Sequence, residues 1–589
     1  MPLGSALNSL LLLAKNLDPT KSTIYTGKKG KPDKPVVFDR NEKINHLERG
    51  KPEDSGYSAE YIDSFFNELH SDFSIRPNRI YIIKDNKIIA ERYEHPYVND
   101  SWDCVFSSSK TLVGLAIGLL YDDGKIKLDD YACKLLKNER AITVVNNKKI
   151  TVRHLLTMST GIKFNEMESA SSAKWVKSYF DSRSKFKFGT KFEYNSMNTY
   201  ILSAIVEKVS GMKFADFVTE RLFKPLNMNS THLDTSLEGY FKGGWGLYIL
   251  PEDMAKLGIL VRDNGVYNGQ RILSEEWIYL MSHKQFPASD FGGHIYDYGF
   301  QMWVDEKNNI CFFNGMYDQN IMIHRNSGIV VVTCCANNEA FHGANLFKIT
   351  TKYFAKKEQG TFELCKHPAT RELRNYDELM YYIDGVLNKE YKSAGKISNS
   401  CGILPLILQN ELGTYAKGIR GVRFEKEGDT YKFIVNENHK EKAIKFNFGS
   451  GVRDVYDFYG NLFDCVCDAR FILSGKSEAL LVIRLFFLEF SSSRYFTIIF
   501  SKDPDIFSIE LSENPGLRFV YSIIENQDES IKTFIRNLSK NINPALVSGT
   551  IKNMFSPSFY LVHGEAKLQR LRGEKEKKQV PATQNKKKH

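Results

Sequence analysis

A chain of 589 residues that is 42% hydrophobic and 25% charged exceeds what one hydrophobic core usually supports, and it is read as a globular protein of two or three domains. No apolar run reaches the roughly 18 residues of a membrane span. The Leu10–Ala14 run is short and has no Lys or Arg before it, so neither a transmembrane helix nor a secretory leader is expected, and the chain is read as cytoplasmic. The net charge of +10 is concentrated at one end, where residues 564–589 carry nine Lys or Arg against three Glu. That composition predicts a solvated basic tail in place of a nucleic-acid surface.

In chain order, residues 1–49 read as a loosely structured leader. A helix follows, with Ser55 or Ser58 near its start and Tyr61, Ile62, Phe65, Phe66 and Leu69 at helical spacing. Two β-rich runs, 79–84 and 87–93, flank Asp85-Asn86 and predict a hairpin. Helical pattern then dominates to about residue 285, and strand character returns at 310–313, 320–324 and 329–335 before a helix at 344–357. Strands at both ends of a helical middle predict one antiparallel sheet flanked by helices, an α/β (α+β) domain over 50–360 with a helical subdomain. Residues 361–399 read as a helical linker. Short β runs at 422–424, 431–435, 443–448, 480–490 and 494–500 predict an antiparallel barrel-like domain over 400–545, with a disordered tail over 546–589. The nine cysteines are odd in number and form no pair of CxxC clusters, which predicts buried thiols and no metal site.

The chemistry gathers at Ser107-Ser108-Ser109-Lys110, which opens the apolar helix ending at Asp122-Asp123-Gly124. Residues i and i+3 share a helix face, so Lys110 reaches the Ser107 hydroxyl. A helix N-terminus also favours a developing oxyanion. Serine needs an adjacent base, and a lysine whose pKa is lowered by burial can serve. The Ser-x-x-Lys tetrad recurs at Ser171, Ser182, Ser184, Ser210 and Ser393, so spacing alone leaves open that Ser107 caps a helix and Lys110 is a surface residue.

The context of Phe106-Ser107-Ser108-Ser109-Lys110-Thr111 resembles the first motif of the class C β-lactamase-like and penicillin-binding-protein-like serine hydrolases, a family of esterases, D-aminopeptidases and aminohexanoate-dimer hydrolases. Further stretches are similar to that family in the same order: Thr151-Val152-Arg153-His154-Leu155-Leu156-Thr157-Met158-Ser159-Thr160-Gly161, Phe188-Gly189-Thr190-Lys191-Phe192-Glu193-Tyr194-Asn195-Ser196, Gly243-Gly244-Trp245-Gly246-Leu247, and Asn268-Gly269-Gln270-Arg271. The resemblance spans about residues 50–360. It implies a β-lactamase/transpeptidase-like fold and an acyl-enzyme hydrolase acting on an ester or amide in a small-molecule or peptide-like substrate, without cofactor or metal. The alternative is a catalytically silent binding protein on the same fold.

By resemblance, Tyr194 relays a proton to or from the leaving group. Ser196 stands where the family's Tyr-x-Asn motif has Asn, and Phe313-Asn314-Gly315 stands where it has Lys-Thr-Gly or His-x-Gly. Gly315 suits a close backbone approach, and Met316 N–H is the expected second oxyanion donor beside that of Ser107. The missing Lys or His at the first position of that triplet, Phe313, argues against substrates held by a carboxylate, β-lactams among them. Asp318 either binds a cationic substrate end or marks a different loop. His154 reads as a core or cap residue, and His324 sits on a predicted strand without a matching catalytic partner.

Overall fold

The computed structural model describes residues 37–579 apart from short internal gaps and the segments 366–378, 395–400 and 519–555. The first 36 residues of the expected leader and the last ten of the expected tail lie outside the described residues.

The amino-terminal domain is built on a sheet of nine described strands. From one edge the order is Glu48–Arg49, Lys87–Tyr93, Pro77–Lys84, Ile329–Cys335, Gln319–His324, Ile310–Gly315, Trp303–Asp305, Asp297–Tyr298 and Phe286–Pro287. All pairings are antiparallel except that of Glu48–Arg49 with Lys87–Tyr93. The expected hairpin turns on Asp85 and Asn86, both at positive φ (50° and 61°), the backbone that a two-residue hairpin turn requires. The first strands therefore pair with the last ones, Val331 opposite Ile82, which makes one sheet from both ends of the domain. The helix Ala59–Ser71 is capped by Ser58, whose Oγ accepts from Tyr61 N–H at 3.2 Å, and it buries Tyr61, Phe65 and Leu69.

The helical middle packs against the opposite side of this sheet. Its centre is Ser109–Asp122, a helix buried all round from Ser109 to Leu120. Close packing there depends on missing side chains. A Cβ on Gly118 would lie 2.2 Å from the Trp277 ring, and Trp277 Nε1 donates to Gly114 O at 3.1 Å.

The carboxy-terminal domain is an antiparallel sheet of ten described strands in a barrel-like curve, from Lys440–Phe446 at one edge to Val452–Phe458 at the other. It nearly closes on itself through the bridge between Asn447 and Asp468. Phe424, Phe433, Phe463, Phe487, Phe496 and Phe507 fill its interior.

Three expectations need correction. The strand Glu390–Ser393 falls in the segment read as helical linker, whose described residues also hold the helix Met380–Asp384. The run over 480–490 pairs as a strand only to Phe487, and Leu488–Phe490 form a 3₁₀ turn. Within the expected tail, Ser558–Val562 is a strand that joins Glu390–Ser393 to Ile506–Asn514, and Glu565–Gln579 is a helix. The helix has little amphipathic pattern of its own. It is held by Leu568, which is buried, and by Lys567, which pairs with Asp503 and Asp505 at 2.9 and 2.7 Å.

Candidate active site

The short strand Asp103–Cys104 feeds a 3₁₀ turn, Phe106–Ser108, and the helix starts at Ser109. Phe106 has φ 44°, a strained conformation for an aromatic residue. It is over-determined by its neighbours. Val105 N–H donates to Leu247 O at 3.0 Å, Ser108 Oγ to Gln319 O at 2.6 Å, and Ser109 Oγ to Phe106 O at 2.5 Å. The Phe106 ring meets Tyr317 edge-on at 5.2 Å. Ser107 is thereby presented at the turn, partly exposed, while Ser108, Ser109 and Lys110 are buried.

Lys110 is 1% exposed, and its Nζ donates to Ser107 Oγ and to Gly244 O, each at 2.8 Å. Burial outweighs the opposing pull of the Glu166 carboxylate and holds the amine down at about 7. Near neutral pH a large fraction of Lys110 is thus unprotonated and able to accept a proton. The amine lies over the Tyr194 ring, 4.7 Å from its centroid. Tyr194 stacks on Trp303 at 5.7 Å, and its phenol hydrogen-bonds with Ser107. Burial raises that phenol above its ordinary value, so it remains protonated at neutral pH. Ser107, Lys110 and Tyr194, up to 87 positions apart in sequence, therefore form one contact set.

The strand Ile310–Gly315 borders the other side. A Cβ on Gly315 would fall 2.2 Å from Val105 O, so only glycine lets this strand approach the nucleophile turn, and Met316 follows directly. Asn314 Nδ2 donates to Asn320 Oδ1 at 2.7 Å. Asp318 is 3% exposed, and its carboxylate accepts from Asn337 Nδ2 at 2.6 Å and Asn320 Nδ2 at 3.3 Å. It also follows Tyr317 in a turn where both residues have positive φ, 63° and 66°. Those hydrogen bonds tie the Asp318 carboxylate to residues of its own loop and of the neighbouring strand end.

Ser196 begins the helix Ser196–Ser210, and its Oγ donates to Glu166 Oε1 at 2.9 Å. Glu166 was not among the expected site residues. His154 closes a capping box with Thr151, and His324 is fully buried and pushed down to about 3 by burial, which keeps both in structural roles. Among the described residues no group of three or more His, Cys, Asp or Glu could hold a metal, and no helix is long and apolar enough to cross a membrane. No disulfide joins the nine cysteines, eight of which are buried.

Residues 79–345 match the β-lactamase family model. The 6-aminohexanoate-dimer hydrolase of Paenarthrobacter ureafaciens is 24% identical over 282 residues, which cover 43% of this chain and 70% of that protein. Protein flp of Staphylococcus aureus (strain MW2) is 28% identical over 134 residues, 22% of this chain and 27% of its own length. Among solved structures, a penicillin binding protein from Bacillus halodurans superimposes with a TM-score of 0.39 and 17% identity, covering 50% of this chain and 100% of that one.

Proposed function

We propose that this chain, whose residues 79–345 match the β-lactamase family model, is a serine hydrolase that cleaves an ester or amide through an acyl-enzyme on Ser107. The observation that carries the reading is the 2.8 Å contact between Ser107 Oγ and a buried Lys110 whose amine titrates near 7. Neutral Lys110 takes the Ser107 proton as Oγ attacks the carbonyl carbon. The tetrahedral oxyanion lies between the backbone N–H groups of Ser107 and Met316. Tyr194, in contact with Ser107 and beside Lys110, gives its phenol proton to the leaving group as the carbonyl–heteroatom bond breaks. It takes the proton back from the Lys110 ammonium, which leaves Lys110 neutral for the second half of the reaction. Water then attacks the ester to Ser107, Lys110 again accepts a proton, and the acid is released with Oγ reprotonated. Phe313 stands where the family's Lys or His would meet a substrate carboxylate, which favours substrates other than β-lactams.

The test is intact-protein mass after exposure to a fluorophosphonate and, separately, to a penicillin. One stoichiometric fluorophosphonate adduct on the wild type and none on Ser107→Ala is the expected result, with little or no penicillin adduct. An adduct retained in Ser107→Ala, or no adduct on the wild type, overturns the reading and favours a silent binding protein on the same fold.

A further inference from the structure

In the helical middle of the amino-terminal domain, two stretches distant in sequence wall a cavity of about 430 Å³, residues 144–147 on one side and 183–187 on the other. That volume lies in the range of small-molecule sites. The walls are joined at their base. Thr143 N–H and Oγ1 donate to Asp181 Oδ1 at 2.9 and 2.7 Å, and Asn147 Nδ2 donates to Phe180 O and Ser182 O, each at 2.7 Å. The second wall is fixed from behind as well. Lys163 N–H donates to Arg183 O at 3.1 Å, Lys185 N–H donates to Gly161 O at 2.9 Å, and the Phe186 ring closes on Gly161, where an added Cβ would lie 2.8 Å from it.

Asn147 is 1% exposed, and the two carbonyls that take its amide protons fix which way the amide points. Its Oδ1 is left buried with no partner among the described residues. A buried carbonyl oxygen without a donor is rare in folded proteins and costs stability, so this one calls for an O–H or N–H from a molecule in the cavity. Cations border the same space. Lys185 pairs with Glu193, which leaves Arg183 and Lys187, both exposed, as the cavity's uncommitted cations among the described residues.

We infer that this cavity is a binding site for a sugar monophosphate, with Arg183 and Lys187 holding the phosphate and Asn147 Oδ1 accepting from a sugar hydroxyl. Two cations match the two negative charges of a phosphate monoester, and the planar guanidinium fork matches its oxygens. The buried acceptor selects a ligand that carries a hydroxyl over an anion that has none. No residue of this cavity belongs to the Ser107 site, so the inference stands apart from the acyl-enzyme reading.

The experiment is calorimetric titration of the full-length protein with glucose 6-phosphate, ribose 5-phosphate, methyl phosphate and glucose. Methyl phosphate has the charge without the hydroxyls, and glucose has the hydroxyls without the charge. At least one sugar phosphate is expected to bind about tenfold or more tightly than methyl phosphate and to raise Tm, while glucose gives no heat. Arg183→Ala and Lys187→Ala, at exposed positions, should each weaken that binding by about five- to tenfold. Asn147 also holds the Phe180 and Ser182 carbonyls, so its acceptor is tested from the ligand's side, by the methyl phosphate comparison, without disturbing the fold. Absence of binding by both sugar phosphates at about 10 mM overturns the site. Equal affinity for sugar phosphate and methyl phosphate overturns the role of Asn147 and with it the sugar. Binding unchanged in both alanine variants places the ligand elsewhere and overturns the assignment.

Discussion

At the scale of single residues, the burial of Lys110 has a kinetic signature. An amine held at about 7 by desolvation must lose its proton before it can serve as base, so kcat/KM is expected to fall as pH drops through about 7 and to level off above about 8. Lys110→Met should lower the acylation rate by roughly 10²–10⁴-fold and remove that acid limb. A pH profile of kcat/KM for any turned-over ester checks both, and an acid limb near 4 or 5 would assign the proton transfer to a carboxylate instead. The same scale shows what was legible before the fold. Ser107 and Lys110 are three positions apart, and Tyr194 sits in an ordered set of motifs, so local pattern was enough to name them. Glu166 was not legible, because its place depends on hydrogen bonds from Asn195 to carbonyls some thirty positions earlier, and no spacing rule reports those. Asp318 was ambiguous for a related reason. Its partner Asn337 lies nineteen positions on, beyond the reach of any spacing rule.

At the scale of elements, two close approaches made by glycine should fail in different ways. Gly315→Ala places a Cβ 2.2 Å from Val105 O, so the strand Ile310–Gly315 must move away from the nucleophile turn and carry Met316 with it. A shift near 1 Å at a reacting centre costs on the order of 10²-fold in rate. That loss is expected in single-turnover acylation. Gly118→Ala collides with the Trp277 ring, away from the turn, and should cost about 1–3 kcal/mol of stability as a lower Tm. If Gly315→Ala reduced Tm alone and left acylation untouched, the close approach would be packing without a role at the site. Elements with strong local signals, such as the Asp85-Asn86 hairpin and the Ser58-capped helix, matched their expected positions. The strands Glu390–Ser393 and Ser558–Val562 did not. Each is only four or five residues long and becomes a strand because the other lies beside it, about 165 positions away. The helix Glu565–Gln579 escaped for the same reason: its composition predicts solvation, and Lys567 finds its carboxylates in the turn at Asp503 and Asp505.

At the scale of the whole molecule, the barrel is continuous with the ground on which the nucleophile turn rests. Phe106 and Tyr317 share one apolar cluster with the barrel's phenylalanines. Asp103, directly before that turn, pairs with the fully buried Arg79 at 2.6 Å and accepts from Ser491 Oγ of the barrel at 3.2 Å. Arg453 of the barrel bridges Asp100 at 2.7 Å and Asp464 at 2.6 Å. Beside this junction, in the turn Leu488–Phe490, sits Glu489. Its Oε2 accepts from the Asp464 backbone N–H at 3.1 Å, and Oε1 has no partner among the described residues. Burial, reinforced by the Asp464 carboxylate, pushes Glu489 up to about 8. A carboxyl raised on folding takes up a proton as the chain folds. Its contribution is therefore most favourable below its unfolded value near 4.5 and is lost as pH rises toward 8. Glu489→Gln keeps the acceptor for Asp464 and cannot ionise. The stability of this variant relative to wild type should climb by roughly 1 kcal/mol per pH unit across that window and then flatten above about 8. Thermal unfolding of both proteins at several pH values between 5 and 9 measures the difference, in which all other titrations cancel. A difference that stays constant over that range would mean Glu489 is ionised in the folded barrel, with Arg453 carrying its charge. A difference that climbs would place a protonation event of the barrel within two residues of Ser491, and through Asp103 next to the strand that delivers Ser107.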